Sequence, residues 1–381
     1  MLYLDVAMPT ALFTVVMVAM FLNKRVAGRL QSTVEEKELQ TRDVILLVAF
    51  MAIIISAIAY TSIINPGAAF QNVLLLFFLS SYTVLLFTFS YVFSDLPKVK
   101  AQLLSVGFGV TGLVAGSACL LAPLQDSFTV YRVASFFGFA IFCFGVAVYE
   151  RTKTSSKAQW YVAVQPAALF VLLFVFFNFI HNPGTLAVWS PFLMDVFGLT
   201  FAVLIIVYLS SLFSWKTVGL FAVLLTTMDI ILVFSGPMVA AANTFVGLGL
   251  PVLVILPNIP LIFSSTGAIL SNGLGLGDFF FAGVLAIQTF NKFGKKTAVI
   301  SVIFIAVVFG IWEAYLPDIL AWLSPILGHK LTGFPATLII LSGWVPVIAV
   351  KLLFERRKHA LVQPVAKQPS KDLVSSDNLV K

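Results

Sequence analysis

An all-α polytopic membrane protein with about eleven transmembrane helices is the fold class that this sequence predicts, on three observations. Of 381 residues, 60% are hydrophobic and only 10% charged, against roughly 25% charged in an average soluble domain. That excludes a water-soluble globular chain. Apolar runs recur from Tyr3 almost to Phe354, each near the roughly 20 helical residues needed to cross a hydrocarbon core of about 30 Å. Stretches such as Leu74 to Phe87 are apolar on every face, whereas the strands of a transmembrane β-barrel alternate polar and apolar residues.

Taken in order, the spans fall near 3–22, 44–64, 72–93, 101–122, 132–149, 160–180, 191–213, 217–241, 273–291, 297–316 and 333–354. The first reads as a retained anchor and not a cleaved signal peptide, because Lys24, Arg25 and Arg29 follow the apolar run instead of leading it. Sorting the 23 Lys and Arg residues by alternate loops leaves only Arg132 and Lys330 on the minority side. By the positive-inside rule the first loop and the C-terminal tail are cytosolic and the N-terminus is outside. The expected location is therefore integral to a membrane, the cell membrane if the source is prokaryotic. The net charge of +7 is then mostly a topology signal; the basic residues are spread over six short segments and make no nucleic-acid face. Trp160 and Trp215 at inner borders, with Trp189, Trp312 and Trp322 at outer ones, suit an interfacial aromatic belt. Cys119 and Cys143 lie inside apolar runs with no CxxC pair, which argues against a disulfide framework or a cysteine zinc site.

Three segments do not read as spans. Residues 23–43 are polar enough for a short cytosolic helix, with Ser32 and Glu35 at capping-box spacing. The tail from Glu355 is rich in Lys, Ser, Gln and Pro without apolar periodicity and reads as disordered. Between spans eight and nine, Asn243 to Asn272 is apolar yet punctuated by Gly247, Gly249, Pro251, Pro257, Pro260 and Gly267. Prolines remove backbone donors and clash with the preceding turn, so no continuous helix is expected there. Irregular backbone at membrane depth survives only when buried in protein or lining a cavity, so this segment is expected to border one.

Nearly all of the 16 acidic residues sit in loops, in the tail or at span ends. Asp229 and Asp278 do not. Asp229 falls at the midpoint of span eight, and Asp278 opens the apolar part of span nine within GLGLGDFFFAGVL. An Asp at a helix centre costs about 2.5–3.5 kcal/mol on insertion scales, and an intramembrane ionisable residue is by default a functional candidate. Asp195 and Glu313 lie near outer ends, where water is expected to reach them. Two carboxylates suffice for general acid-base hydrolysis: the ionised one takes a proton from water while the protonated one donates to a carbonyl. Like charges held close make such a pair share one proton over a range of pH. Rival hydrolytic machinery is missing from the sequence, which has no HExxH and no GxSxG, and whose His181, His329 and His359 sit in loops or the tail.

Gly273, Gly275 and Gly277 recur at every second residue before Asp278, a side-chain-free stretch where another backbone can come close. The run Leu250 to Leu256 is rich in β-branched residues between Pro251 and Pro257, which block helix but permit an edge strand. It is the expected pairing edge for an unwound substrate.

These residues resemble the intramembrane aspartyl proteases of the presenilin and signal peptide peptidase group. The likeness covers roughly residues 217–346. In that family one Asp lies in the sixth helix, usually after Tyr, the second in a GxGD motif of the seventh, and a Pro-Ala-Leu motif starts the ninth. Asp229 matches the first; Gly275, Leu276, Gly277 and Asp278 match the second completely; Pro335 and Ala336 match two positions of the third. Met228 stands where the family has Tyr, and Thr337 where it has Leu. The resemblance implies a nine-helix core, which leaves two extra helices at the N-terminus; the orientation read from the charges is similar to that of signal peptide peptidases and opposite to that of presenilins. The expected organisation is residues 1–71 as two N-terminal helices with a cytosolic loop, 72–216 as the first part of the core, 217–354 as the catalytic helices and 355–381 as the tail.

The function expected is therefore an intramembrane aspartic endopeptidase that needs no cofactor and no metal. Its partners are the bilayer and a transmembrane-helix protein substrate, a remnant signal peptide included; homo-oligomers are compatible with the sequence and nucleic acid is not. Asp229 and Asp278 are the catalytic pair, and Gly275, Gly277, Pro251, Val252, Leu253, Val254, Pro257, Pro335 and Ala336 shape the substrate cleft. Two alternatives stay open: an ion- or proton-coupled transporter, which also uses midplane carboxylates and Gly/Pro-broken helices, and a prepilin-type GxGD peptidase acting at the cytosolic border.

Overall fold

The computed structural model describes residues 5–30, 39–64, 68–94, 96–121, 127–152, 160–180, 189–263, 267, 269–328, 330–331 and 333–362. In chain order they form α1 (Ala7–Leu30), α2 (Thr41–Ile64), α3 (Ala68–Val92), α4 (Lys98–Leu121), α5 (Thr129–Thr152), α6 (Trp160–Phe174), α7 (Pro191–Leu209), α8 (Trp215–Phe234), α9 (Pro237–Gly247), β1 (Leu253–Pro257), β2 (Ser271–Gly275), α10 (Leu276–Phe293), α11 (Lys295–Leu327) and α12 (Ala336–Val362). Among the described residues, ten helices are long and apolar enough to cross a bilayer, so this is an all-α, multi-pass integral membrane protein. The one expected span outside these ten, the ninth, corresponds to α10, which has 18 residues and carries Asp278, Gln288 and Lys292.

The lower apolarity of α10 follows from where it sits. It packs against α1, α7, α8, α11 and α12, and its side chains from Phe279 to Thr289 are all buried, so protein and not lipid is its solvent. Close approach is built in. A Cβ on Gly283 would meet Ile206 of α7 at 2.5 Å, and one on Gly343 of α12 would meet the Ile305 backbone of α11 at 2.7 Å. The polar groups of α10 are paired: Gln288 donates to the carbonyls of Ser210 (3.0 Å) and Phe213 (2.6 Å), left open where α7 ends, and the Trp344 indole donates to Thr289 at 2.9 Å.

Several expected boundaries shift. Span eight ends at Phe234, since Gly236 adopts a left-handed φ of 95° and Pro237 opens α9; a proline at the first helical position starts a new helix readily. Span nine begins at Leu276 and not 273, because the glycines before it belong to β2. Pro317 and Pro325 lie inside α11, which runs on to Leu327 instead of ending near 316. The expected separate helix over 23–43 is not formed in its first part, because α1 continues to Leu30; Ser32 and Glu35 lie outside the described residues. The expected tail is helical as far as Val362, and residues 363–381 lie outside the described residues.

The two helices that stand apart are not the N-terminal ones. α1 packs on α7, α10 and α11, and α2 on α8 and α9, so the residues expected as an N-terminal addition belong to the main core. It is α4 and α5 that pair with each other and reach the rest chiefly through α6. Their seam is a small-residue stripe, Ala101, Ser105, Gly109, Gly112, Gly116 and Cys119, all buried. Without a hydrophobic drive between helices in lipid, such close packing is what holds a pair together. A Cβ on Gly112 would sit 3.0 Å from the Phe139 ring and 3.1 Å from the Phe136 carbonyl, whereas around Gly107 there is open space. Gly112→Val should therefore lower stability by about 1–3 kcal/mol through overpacking, read as thermal unfolding in detergent, while Gly107→Val on the same helix stays near the parent.

Candidate active site

α8 starts with a reciprocal cap in which Ser214 and Thr217 satisfy each other's backbone N–H. Four turns later, Asp229 faces α12 and is only 5% exposed. Its Oδ2 accepts the Thr337 hydroxyl at 2.6 Å and the Thr337 N–H at 3.3 Å. Thr337 is the second residue of α12, where a helix leaves its N–H groups unpaired and presents a positive dipole end, so a carboxylate there is well placed. Pro335, buried just before the helix, and the small Ala336 bring the chain into this position. Phe334 stacks on Trp312 and packs edge-on to Phe234, bracing the same approach.

Asp278 is the third residue of α10 and is half-buried. Its carboxylate turns back over Gly275, so that a Cβ on Gly275 would lie 3.1 Å from Oδ2. This is the approach that an acid makes in one half of a capping box, reaching back toward the N-cap. Asp229 and Asp278 stand close enough for their charges to interact directly. The structure thus brings together two carboxylates from different helices, each anchored by a helix N-terminus.

Beside Asp278, Gly277 is exposed, and a Cβ there would meet nothing within 4 Å. It lines a cleft of about 390 Å³ together with Leu276, Val252, Phe245, Tyr82 and Tyr208. The walls come from α3, α7, α9 and the turn before β1, so the proline-broken segment does border a cavity, as expected. Asn178 and Trp189 hold that turn by donating to the carbonyls of Leu248 (2.8 Å) and Gly249 (2.9 Å).

The glycine run and the β-branched run pair with each other. β1 and β2 form an antiparallel ribbon in the register Leu253 with Gly275, Val254 with Leu274, and Ile255 with Gly273. Leu276 N–H donates to the Val252 carbonyl and Asn258 N–H to the Leu270 carbonyl. By that alternation the backbone groups of Val254 and Leu256 face β2, and those of Leu253 and Ile255 face outward. Val254 is fully buried, so neither its N–H nor its side chain is offered to a visiting strand, contrary to the role expected for it. Pro251 and Val252 lie in the turn, Pro251 accepting from the Tyr82 hydroxyl at 3.5 Å, and Pro257 ends β1.

Asp195 departs furthest from expectation. Water does not bathe it: it is 6% exposed, and its Oδ1 accepts the outward Ile255 N–H at 2.7 Å. Glu313 is half-buried and takes a hydrogen bond from Asn272 at 3.0 Å. Thr337, in sequence only a departure from the Pro-Ala-Leu pattern, is the residue that meets Asp229; the one signal for it is its place directly after Pro335 and Ala336. Models of known protein families, curated proteins and solved structures all give no match to this chain.

Thr337→Val keeps the shape and deletes the hydroxyl. Loss of a hydrogen bond to a buried carboxylate should cost about 1.5–3 kcal/mol, measured as thermal stability in detergent, and the cost should largely vanish in an Asp229→Ala background. Thr337→Ser should stay near the parent.

Proposed function

We propose that the protein is an intramembrane aspartic endopeptidase that cleaves transmembrane segments, including remnant signal peptides, with Asp229 and Asp278 as the acid-base pair. The observation that carries this reading is that carboxylates from α8 and α10 lie within reach of each other's charge, the second directly after Gly277, which lines an apolar cleft, and after a strand ribbon. In the reaction the ionised carboxylate takes a proton from water, the resulting hydroxide adds to the scissile carbonyl carbon, and the protonated carboxyl gives its proton to the carbonyl oxygen. The tetrahedral diol then collapses: one hydroxyl gives its proton to the carboxylate now ionised as the C=O bond re-forms and the C–N bond breaks, the other carboxyl protonates the amine nitrogen, and the pair is again singly protonated.

A transmembrane substrate must unwind before attack, and its bared N–H and C=O groups need partners that lipid does not supply. β-Strand addition is the economical source. Since Asp195 occupies the centre of the outer edge of β1, the substrate strand adds to β2 instead, where Gly273 turns its backbone groups away from β1 and is exposed. Gly277 lets the substrate backbone approach Asp278. The eleven-span topology, with α10 as a crossing, the N-terminus outside and the C-terminus cytosolic, belongs to the same proposal.

Asp229→Ala and Asp278→Ala should each abolish cleavage of a model single-span substrate in liposomes while membrane insertion stays intact; near-parental turnover by either variant would sink the pair. The same vesicles scored for solute flux test the transporter reading. Gly277→Val should leave thermal stability unchanged, since space is open there, yet strongly reduce cleavage. Cleavage should show a bell-shaped pH profile whose two limbs belong to the pair, and a rate that keeps rising into alkali would point to another base.

A further inference from the structure

Asp195 sits in the second turn of α7, a helix opened by the Ser190 cap and Pro191. One turn on, a Cβ on Gly198 would lie 3.1 Å from Val254 and 3.8 Å from the Pro251 carbonyl. Glycine is thus what allows β1 to lie directly on α7, and Asp195 is the polar group at that contact. Its 2.7 Å hydrogen bond from Ile255 N–H lies within the range of a charge-assisted pair. Leu253 and Ile255 carry the outward donors of β1, while Pro257 has none, so one carboxylate fills the central donor of that edge.

The ribbon leads straight into the proposed catalytic centre. Ile255 is paired with Gly273, two residues before Gly275. Gly275 is the N-cap of α10, and the Asp278 carboxylate lies directly over it, 3.1 Å from where a Cβ on Gly275 would stand. A rigid two-stranded unit therefore spans from Asp195 to Asp278, with no loop between to absorb a displacement.

The geometry points to Asp195 as a positioning residue for Asp278: by holding Ile255 it fixes where the ribbon stands and closes the outer edge of β1 to substrate, leaving β2 as the docking edge. This rests on the proteolytic reading and adds to it a residue that sets which peptide bond is cut. An ordinary structural hydrogen bond would lower stability without changing the bond selected.

The test uses the full-length protein in liposomes with a single-span substrate, product termini read by mass spectrometry and amide exchange read over 253–275. Asp195→Ala should raise exchange at the ribbon about tenfold, the equivalent of about 1.4 kcal/mol of lost local stability, reduce the rate of cleavage and spread it over neighbouring bonds. Asp195→Asn, which keeps an acceptor oxygen in place, should restore a single cleavage site. Ile255→Pro removes the donor from the other side and should reproduce Asp195→Ala, with the double variant no worse than either single one; it also decides the matter if Asp195→Ala fails to fold. Unchanged exchange, or faster exchange with the parental products at the parental rate, overturns the inference while the proteolytic reading stands. A parent protein that cleaves nothing overturns that reading, and the role of Asp195 in cleavage with it.

Discussion

A backbone N–H or C=O left unpaired in hydrocarbon costs several kcal/mol, and the interior of this molecule is arranged around that constraint. Helices meet it by themselves. The stretch from Gly247 to Gly275 cannot, since its prolines and glycines rule out a helix, and so, among its described residues, several polar groups are satisfied singly: by the partner strand, by Asn178 and Trp189 at the turn, by Asp195 at Ile255 and by Asp5 at Ile259. Val254, Asn258 and Leu274 are buried while Ile259, Leu261, Phe263 and Ile269 are exposed, so protein covers the ribbon end of this segment and not its tip. The cleft beside Gly277 borders the covered end.

The same demand explains why α10 is central. A helix carrying Asp278, Gln288 and Thr289 is poorly suited to face lipid, but enclosed by five others it can keep each polar group paired. Asp229 is accommodated in a similar way, at the beginning of α12. Both carboxylates thereby sit at helix N-termini, where the backbone supplies donors and favourable potential. Among the described residues no Lys or Arg forms an ion pair with either, so the backbone donors carry that role.

Apolar runs and the exceptions within them were legible because each is a local property of the chain. Ten of the long helices, the break at Asn243 to Asn272 and the two intramembrane aspartates could all be read this way. Partners in space could not. Hydropathy does not say that α1 belongs with α10 and that α4 and α5 belong mostly to each other; the clue, a stripe of Ser105, Gly109, Gly112 and Gly116, matters only once its neighbour is known. Asp195 looked solvated because it lies near a helix start, and only the ribbon folding over it makes it buried. Gly236 and Pro237 did carry a local break signal, masked by the apolar residues on both sides. Thr337 looked like a departure from a motif, yet its hydroxyl is the donor nearest Asp229.

The separateness of α4 and α5 bears on how such a chain can change over time. α3 and α6 pack directly on each other, with Tyr82 against Phe170, so the intervening pair leaves and rejoins the body at neighbouring points. A helical hairpin contributes an even number of crossings, so its gain or loss reverses the direction of no other helix. A lineage can therefore acquire, exchange or discard this unit as a single genetic event, without disturbing the helices that carry Asp229 and Asp278.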